Sequence, residues 1–359
     1  MSRLSSEIGV RSQALEWFRS YLSDRYQSVQ VKDEASDRVL LLFGVPQGSV
    51  LGPVAFLIYM CPVFNIAKLH GIIMHQYADD TQLYLAFDFK KQEEAMAKME
   101  ACVNDIRLWM KLNKLQLNED KTELLVIAPA RQAHKVRINS IKIGDSVVNA
   151  SQSAKNLGTT FDKTMSLDQH VSSLVKSCNF QLRSIGKARR FLTTDATEKV
   201  IHAFISSRLD CGNSLLYGLP DYQISRLQRV QNTAARILTR TKKFEHITPI
   251  LKSLHWLPVS KRIEYKILTL TFKCLQEEDE APGYLKELIT KYEPRTEMTL
   301  RSFDKKLLVD PRTNLVTYGD RSFYKAAPTL WNALPLDIRQ SDSLGCFQTK
   351  LKSYLFNKG

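Results

Sequence analysis

The chain is poor in paired cysteines: Cys61, Cys102, Cys178, Cys211, Cys274 and Cys346 lie far apart, and no two share a Cys-x-x-Cys spacing. That leaves neither a zinc site nor a disulfide framework to read, and points to reduced thiols, mostly in the core, of an intracellular chain. Nothing distinguishes nucleus from cytoplasm. No apolar run approaches the roughly 18 residues needed to span a bilayer. Met1-Ser2-Arg3-Leu4-Ser5-Ser6 also lacks the apolar core of a signal peptide, so no membrane partner is expected. Internal repeats and low-complexity segments are missing too.

What is present is an ordinary globular composition, 44% hydrophobic and 25% charged. Its 359 residues can bury one large core or two to three smaller ones. The net charge of +14 is unevenly placed. Residues 1–128 hold 14 Lys/Arg against 16 Asp/Glu, a net of −2, whereas residues 129–359 hold 37 against 21, a net of +16. Residues 170–243 alone carry 13 against 4. Cationic charge concentrated in this way suits a polyanionic partner.

Periodicity predicts a helix around Ala14–Leu22, then a β-ribbon of Ser28–Val31 with Val39–Phe43. The apolar run Val54–Met60 reads as a buried helix. Met96, Met99, Val103, Ile106 and Met110 recur at helical spacing within Gln92–Leu112, a stripe that packs beneath a sheet. A strand is expected over Leu124–Ala128, and a hairpin of Val136–Ile143 with Ser146–Val148 turns at Gly144-Asp145. From Leu167 the signal is helical: Leu167–Phe191, Ala196–Leu209 and Tyr222–Arg240. After Lys243 the pattern is shorter and more irregular, broken by prolines.

Two segments carry the chemistry. Tyr77-Ala78-Asp79-Asp80-Thr81 lies between Ile72-Ile73-Met74 and Leu83-Tyr84-Leu85, and reads as a β-hairpin with two carboxylates at its tip. Hard oxygen ligands in that place suit a divalent cation. Gly44-Val45-Pro46-Gln47-Gly48-Ser49-Val50-Leu51-Gly52-Pro53 puts one amide side chain among glycines that let backbone approach a ligand. Together, and in this order, the segments resemble the reverse transcriptases of non-LTR (LINE-type) retrotransposons.

The resemblance implies an α+β fold. Residues 44–165 would form an incomplete polymerase palm, an antiparallel sheet with packed helices. A helical thumb would cover residues 166–243 and a small C-terminal domain 244–359, with 1–43 a remnant between the first palm strand and the palm motifs. The activity implied is RNA-directed DNA polymerisation. Its partners are RNA template, RNA–DNA hybrid and deoxynucleotides, with Mg²⁺ (or Mn²⁺) and no small-molecule cofactor. Asp79 and Asp80 are then the metal ligands, and Gln47, Gly48 and Tyr77 lie at template and nucleotide, although Tyr77 also suits simple packing. Lys121 matches a lysine that neutralises or protonates the departing pyrophosphate; a solvated lysine explains it equally well. Leu157-Gly158 resembles the primer-grip turn.

Arg226, Arg229, Arg236 and Arg240 fall within roughly 80° of one another at 100° per residue, and no acid stands between Asp221 and Glu245. An ordinary solvated face mixes charge signs, so this stripe is expected to meet nucleic-acid backbone. His255-Trp256-Leu257-Pro258-Val259 and Phe323–Pro335 resemble segments that follow the thumb. In the family a further metal-binding aspartate lies on the first palm strand, upstream of a segment like Arg3–Val31. Nothing before Met1 supplies it here. The expectation is therefore an N-terminally truncated polymerase, weak in metal binding and inactive alone, the alternative being a catalytically dead nucleic-acid-binding remnant.

Overall fold

The computed structural model describes residues 1–45, 48–276, 281–293 and 306–358, which fall into two compact units, Met1–Ser151 and Gln152–Gly359. Both mix helices with small antiparallel sheets, an α+β composition. The strands form five separate pairs among the described residues rather than one sheet.

In the first unit the helix Gln92–Leu112 has the bounds its apolar spacing predicts. It buries Cys102 and Ile106 against Met60, Val63, Ala67, Ile72 and Met74, with Met99 and Met110 packed around them. Burying a side chain of this size contributes about 1.5–3 kcal/mol, so this cluster holds the unit together. Cys102 is fully buried there, and burial together with the Asp105 carboxylate pushes its thiol up to about 11. It is inert packing. Cys178 and Cys274 are buried as well, Cys61 is half-buried, and Cys211 and Cys346 are exposed, so the expectation of mostly core thiols holds for three of the six.

Several local readings change. Val54–Met60 lies in the helix Gly52–Met60, yet only Gly52 and Met60 are buried there. Val54, Leu57 and Tyr59 are exposed. Gly52–Leu69 has a mean hydropathy of 1.5 over 18 residues, long and apolar enough to cross a membrane by length and composition. This corrects the expectation that no apolar run approaches that length: Asn65 and Lys68 interrupt the stretch without lowering its average much. In the ribbon, Val31 pairs with Glu34 across a turn where Lys32 has φ +56°, and Val39 pairs with Gln27. Leu124–Ala128 forms no strand; only Leu124 bridges, to Ala150, and among the described residues no backbone continues the ladder. The hairpin turned at Gly144-Asp145 forms as Ser140–Ile143 with Ser146–Asn149.

In the second unit one core joins Val171, Cys178, Leu182 and Ile185 of the helix Asp168–Ala188 to Leu227, Val230, Ala234 and Leu238 of the helix Asp221–Thr239. The same core takes in Trp256, Val259, Ile263, Ala326 and Ala327, so it runs well past Lys243. The tail is more helical than its prolines suggest: Val259–Leu275, Phe323–Asn332 and Leu344–Asn357 are helices. Pro328 sits inside one of them, at its sixth residue, buried with Ala326, Ala327 and Trp331. Phe272, Trp331 and Phe347 stack at ring separations of 4.4 and 5.7 Å to close a second cluster.

Candidate catalytic hairpin and nucleic-acid face

Ile73–Tyr77 and Asp80–Tyr84 pair in the register Tyr77 with Asp80, which leaves Ala78-Asp79 as a two-residue turn. Two-residue turns between twisted strands require a positive φ, and Ala78 supplies it at +54°. The Gln76 side chain donates to the Ala78 carbonyl at 3.0 Å and steadies that turn. Met74 and Leu83, directly opposite one another, face the core. Strand alternation then sends Ile73, His75, Tyr77, Asp80, Gln82 and Tyr84 to the other face. Ile73 is 64% exposed and Tyr77 67%, so the Asp80 face of the hairpin is uncovered. Asp79 and Asp80 are both exposed at its tip.

The donor set suits a hard cation, since Mg²⁺ takes one or two carboxylates and fills its remaining positions with water and substrate phosphate. It does not close a protein cage: no group of three or more His, Cys, Asp or Glu able to hold a metal exists among the described residues.

Gln47 lies outside the described residues. Its flanks are anchored. Tyr21 Oη donates to Ser49 Oγ at 2.6 Å, Ser49 Oγ accepts from the Gly52 N–H at 3.1 Å, and Arg25 donates to the Gly44 carbonyl at 2.6 Å. Gly48 has φ +80° with nothing within 4 Å of where a Cβ would stand, so its backbone conformation, and not crowding, requires glycine. Lys121 ends the short 3-10 turn Glu119–Lys121 and is exposed. The Asn118 side chain accepts from the Lys121 N–H at 3.2 Å. Glu119 is tied down instead: the Ser146 hydroxyl, and then the Arg107 guanidinium at 3.0 Å, hold its carboxyl below the usual range.

Leu157-Gly158 belongs to the second unit and forms the tip of the hairpin Ser153–Asn156 with Thr159–Asp162. Both turn residues have positive φ, +44° and +87°. Leucine there is strained and half exposed, at 52%. The hairpin's last residue, Asp162, was not singled out in the sequence. Its buried carboxylate accepts from Thr164 Oγ1 (2.7 Å) and from the N–H groups of Thr164, Ser166 and Leu167 (3.1, 3.0 and 2.6 Å). Burial raises its pKa, but these hydrogen bonds outweigh that and hold it below the ordinary value. The signal was legible as Asp162-x-Thr164-x-Ser166, a side-chain-capped turn. On the hairpin's other side the Thr160 N–H donates to His170 Nδ1 at 3.4 Å, and burial pushes that imidazole down toward its neutral, accepting form.

The four arginines of the helix Asp221–Thr239 and its cap are not equivalent. Arg229 and Arg240 are exposed. Arg226 donates to Ser172 Oγ at 2.9 Å, and Arg236 donates to the carbonyls of Lys242 and Glu245 at 2.9 and 3.0 Å. Arg236 therefore holds the chain after the helix, and less of its hydrogen-bonding capacity is left for phosphate. A cleft of about 890 Å³ in this unit is lined by none of the candidate catalytic, template, primer or backbone-contact residues; its wall mixes Glu264 and Asp320 with Arg312 and Lys325.

Comparison with known proteins bears on the first unit most directly. The family described as reverse transcriptase (RNA-dependent DNA polymerase) matches residues 2–161. The chain is similar to the probable RNA-directed DNA polymerase from transposon BS of Drosophila melanogaster, 25% identical over 68% of this chain and 28% of that protein. It is also similar to two other Drosophila melanogaster proteins. These are the probable RNA-directed DNA polymerase from transposon X-element (22% identical; 66% of this chain, 26% of that protein) and the RNA-directed DNA polymerase from mobile element jockey (21%; 62% and 24%). The chain thus spans about a quarter of the length of these relatives.

Proposed function

Because residues 2–161 are a reverse transcriptase domain of the non-LTR retrotransposon type, we propose that this chain serves RNA-directed DNA synthesis at the Asp79–Asp80 hairpin. Polymerases of this family generally use divalent metal, and Mg²⁺ or Mn²⁺ at Asp79 and Asp80 is the ion proposed here. Bound there, it supplies charge stabilisation for the attacking primer oxygen and the leaving pyrophosphate.

The remaining roles fall to the chain's own groups. Gly48, with its open left-handed backbone, lets the segment around Gln47 approach template and nucleotide. Tyr77 flanks the carboxylates from the adjacent strand end. Lys121 neutralises or protonates the pyrophosphate. Leu157, kept at a strained and exposed turn position where asparagine would sit more easily, is proposed to touch the primer end. Arg229 and Arg240, with Arg226 and Arg236 as weaker contributors, meet the backbone of an RNA–DNA hybrid. We place the palm over residues 44–165, the thumb over 166–243 and an appended domain over 244–359.

The observation that carries this reading is the placement of two adjacent, exposed carboxylates on a tight antiparallel hairpin whose Met74 and Leu83 share a core with Cys102 and Ile106. It is tested with a chimera in which residues 2–161 replace the matching segment of the transposon BS relative. Extension of a primed RNA template that is lost in Asp79→Ala is the expected result. An active chimera whose activity survives Asp79→Ala would overturn the metal-ligand assignment. The chain by itself is expected to give no extension, since the carboxylate pair finds no third partner among the described residues.

A further inference from the structure

A second cationic face lies on the helix Asp168–Ala188 and the 3-10 turn Arg189–Phe191 that follows it. Val171, Leu174, Val175, Cys178, Leu182 and Ile185 form the helix's inward stripe. At 100° per residue, Lys176, Phe180, Arg183 and Lys187 then lie together within about 60° on the opposite side, all of them exposed. No aspartate or glutamate occurs between Asp168 and Asp195. Of the acids on neighbouring elements, Asp221 stands exposed at the start of its helix and four others are engaged. Asp168 accepts from the Gln223 amide, Asp195 pairs with Lys199, Asp210 with Arg262, and Glu198 lies 3.6 Å from His202. Two further arginines reach the helix from its sides, Arg226 to Ser172 and Arg208 to Ser177.

Within this face stand two large apolar rings. Phe180 is 65% exposed and Phe191 78%, each worth burying and neither buried. The turn that exposes Phe191 is fixed. Its first residue, Arg189, is buried and donates to the carbonyls of Ile237, Leu192 and Leu238 at 3.1, 2.8 and 3.0 Å. Arg190 stays outside, its guanidinium 4.6 Å from the Phe191 ring centre.

Cations alone would suit any phosphate backbone. Exposed rings among them suit bases whose faces are free, because a duplex offers phosphates and sugars on its outside but no open π-face. We propose that this face binds single-stranded nucleic acid, with Phe180 and Phe191 stacking unpaired bases while Lys176, Arg183, Lys187 and Arg190 meet the phosphates. The inference rests on the nucleic-acid reading of the chain but concerns a surface apart from the Arg229–Arg240 stripe.

The test compares the full chain with Phe180→Ala/Phe191→Ala, Lys176→Gln/Arg183→Gln/Lys187→Gln and Arg229→Gln/Arg240→Gln. Binding of fluorescein-labelled oligo(dT) and of a blunt RNA–DNA hybrid of equal length is read by anisotropy across a salt series. The double alanine variant is expected to lose about tenfold or more for oligo(dT), as base–aromatic stacking predicts, and less than twofold for the hybrid. The triple glutamine variant should lower the log–log salt slope for oligo(dT) by about 0.7 per lost contact. A Phe180→Trp variant should bind like the parent and show emission quenched by oligo(dT) beyond the parent's own change.

Oligo(dT) affinity within twofold of the parent in the double alanine variant overturns the proposal. So does an equal loss for the hybrid, or displacement by polyglutamate as effective as by unlabelled oligo(dT). Hybrid binding that persists and depends on Arg229 and Arg240 would leave the polymerase reading standing while this face falls.

Discussion

Replacing Asp162 by asparagine isolates what one carboxylate contributes to the second unit. Asp162 is 7% exposed, and its two oxygens divide the work. One accepts from Thr164 and Ser166 N–H and from Thr164 Oγ1, the other from Ser166 Oγ and the Leu167 N–H. Asparagine keeps one acceptor and turns the other into a donor. Leu167 is 1% exposed, so its N–H then faces a donor and cannot reach water. An unsatisfied buried amide costs about 1–3 kcal/mol, and the lost charge assistance about 1 more, giving about 2–4 kcal/mol. For a unit of this size that is a fall in Tm of about 4–16 °C. Urea unfolding followed by tryptophan fluorescence should show a lower midpoint at unchanged slope.

The gap between parent and variant also has a pH signature. The folded pKa of Asp162 is depressed, so its stabilisation is complete above the ordinary aspartate value of about 3.9 and is lost as pH falls through the lower folded value. The gap should be flat between about pH 7 and 5 and close in stronger acid. A gap below about 0.5 kcal/mol at neutral pH, or one that widens on acidification, would refute the reasoning.

Leu157→Asn should raise stability by about 1 kcal/mol, read by thermal unfolding, because asparagine tolerates the positive φ that leucine resists; an unchanged or lower Tm argues that the turn carries no strain. Replacing Arg226, Arg229, Arg236 and Arg240 together by Gln should weaken hybrid binding and lower its salt slope by about 0.7–0.9 per lost contact, most of it reproduced by Arg229→Gln/Arg240→Gln. An unaltered slope would make the stripe a solvated face. Amides on the outward edges of Ile73–Tyr77 and Asp80–Tyr84 should exchange quickly by hydrogen-exchange mass spectrometry, since no third strand pairs with them among the described residues; uniformly slow exchange across residues 72–87 would contradict this.

The features legible in the sequence were those encoded by neighbours along the chain. The apolar stripe of Gln92–Leu112 and the spacing through Asp221–Thr239 set those helices locally, and the structure places them within a residue or so. The hairpin that carries Asp79 and Asp80 was equally local, a short polar segment between alternating strands, although the turn itself is Ala78-Asp79 and Asp80 opens the second strand; the turn at Gly144-Asp145 was local too. Partners distant in the chain were decided only by folding. Leu124–Ala128 has strand composition, but among the described residues only a single bridge, Leu124 to Ala150, forms beside it. Val54, Leu57 and Tyr59 are apolar yet stay exposed, because burial depends on what packs opposite. Arg226, Arg229, Arg236 and Arg240 share one helical face in the sequence. Only the tertiary structure ties Arg236 to the carbonyls after the helix and leaves Arg229 and Arg240 exposed, since a side chain's hydrogen-bond partners are set by the path of the chain around it.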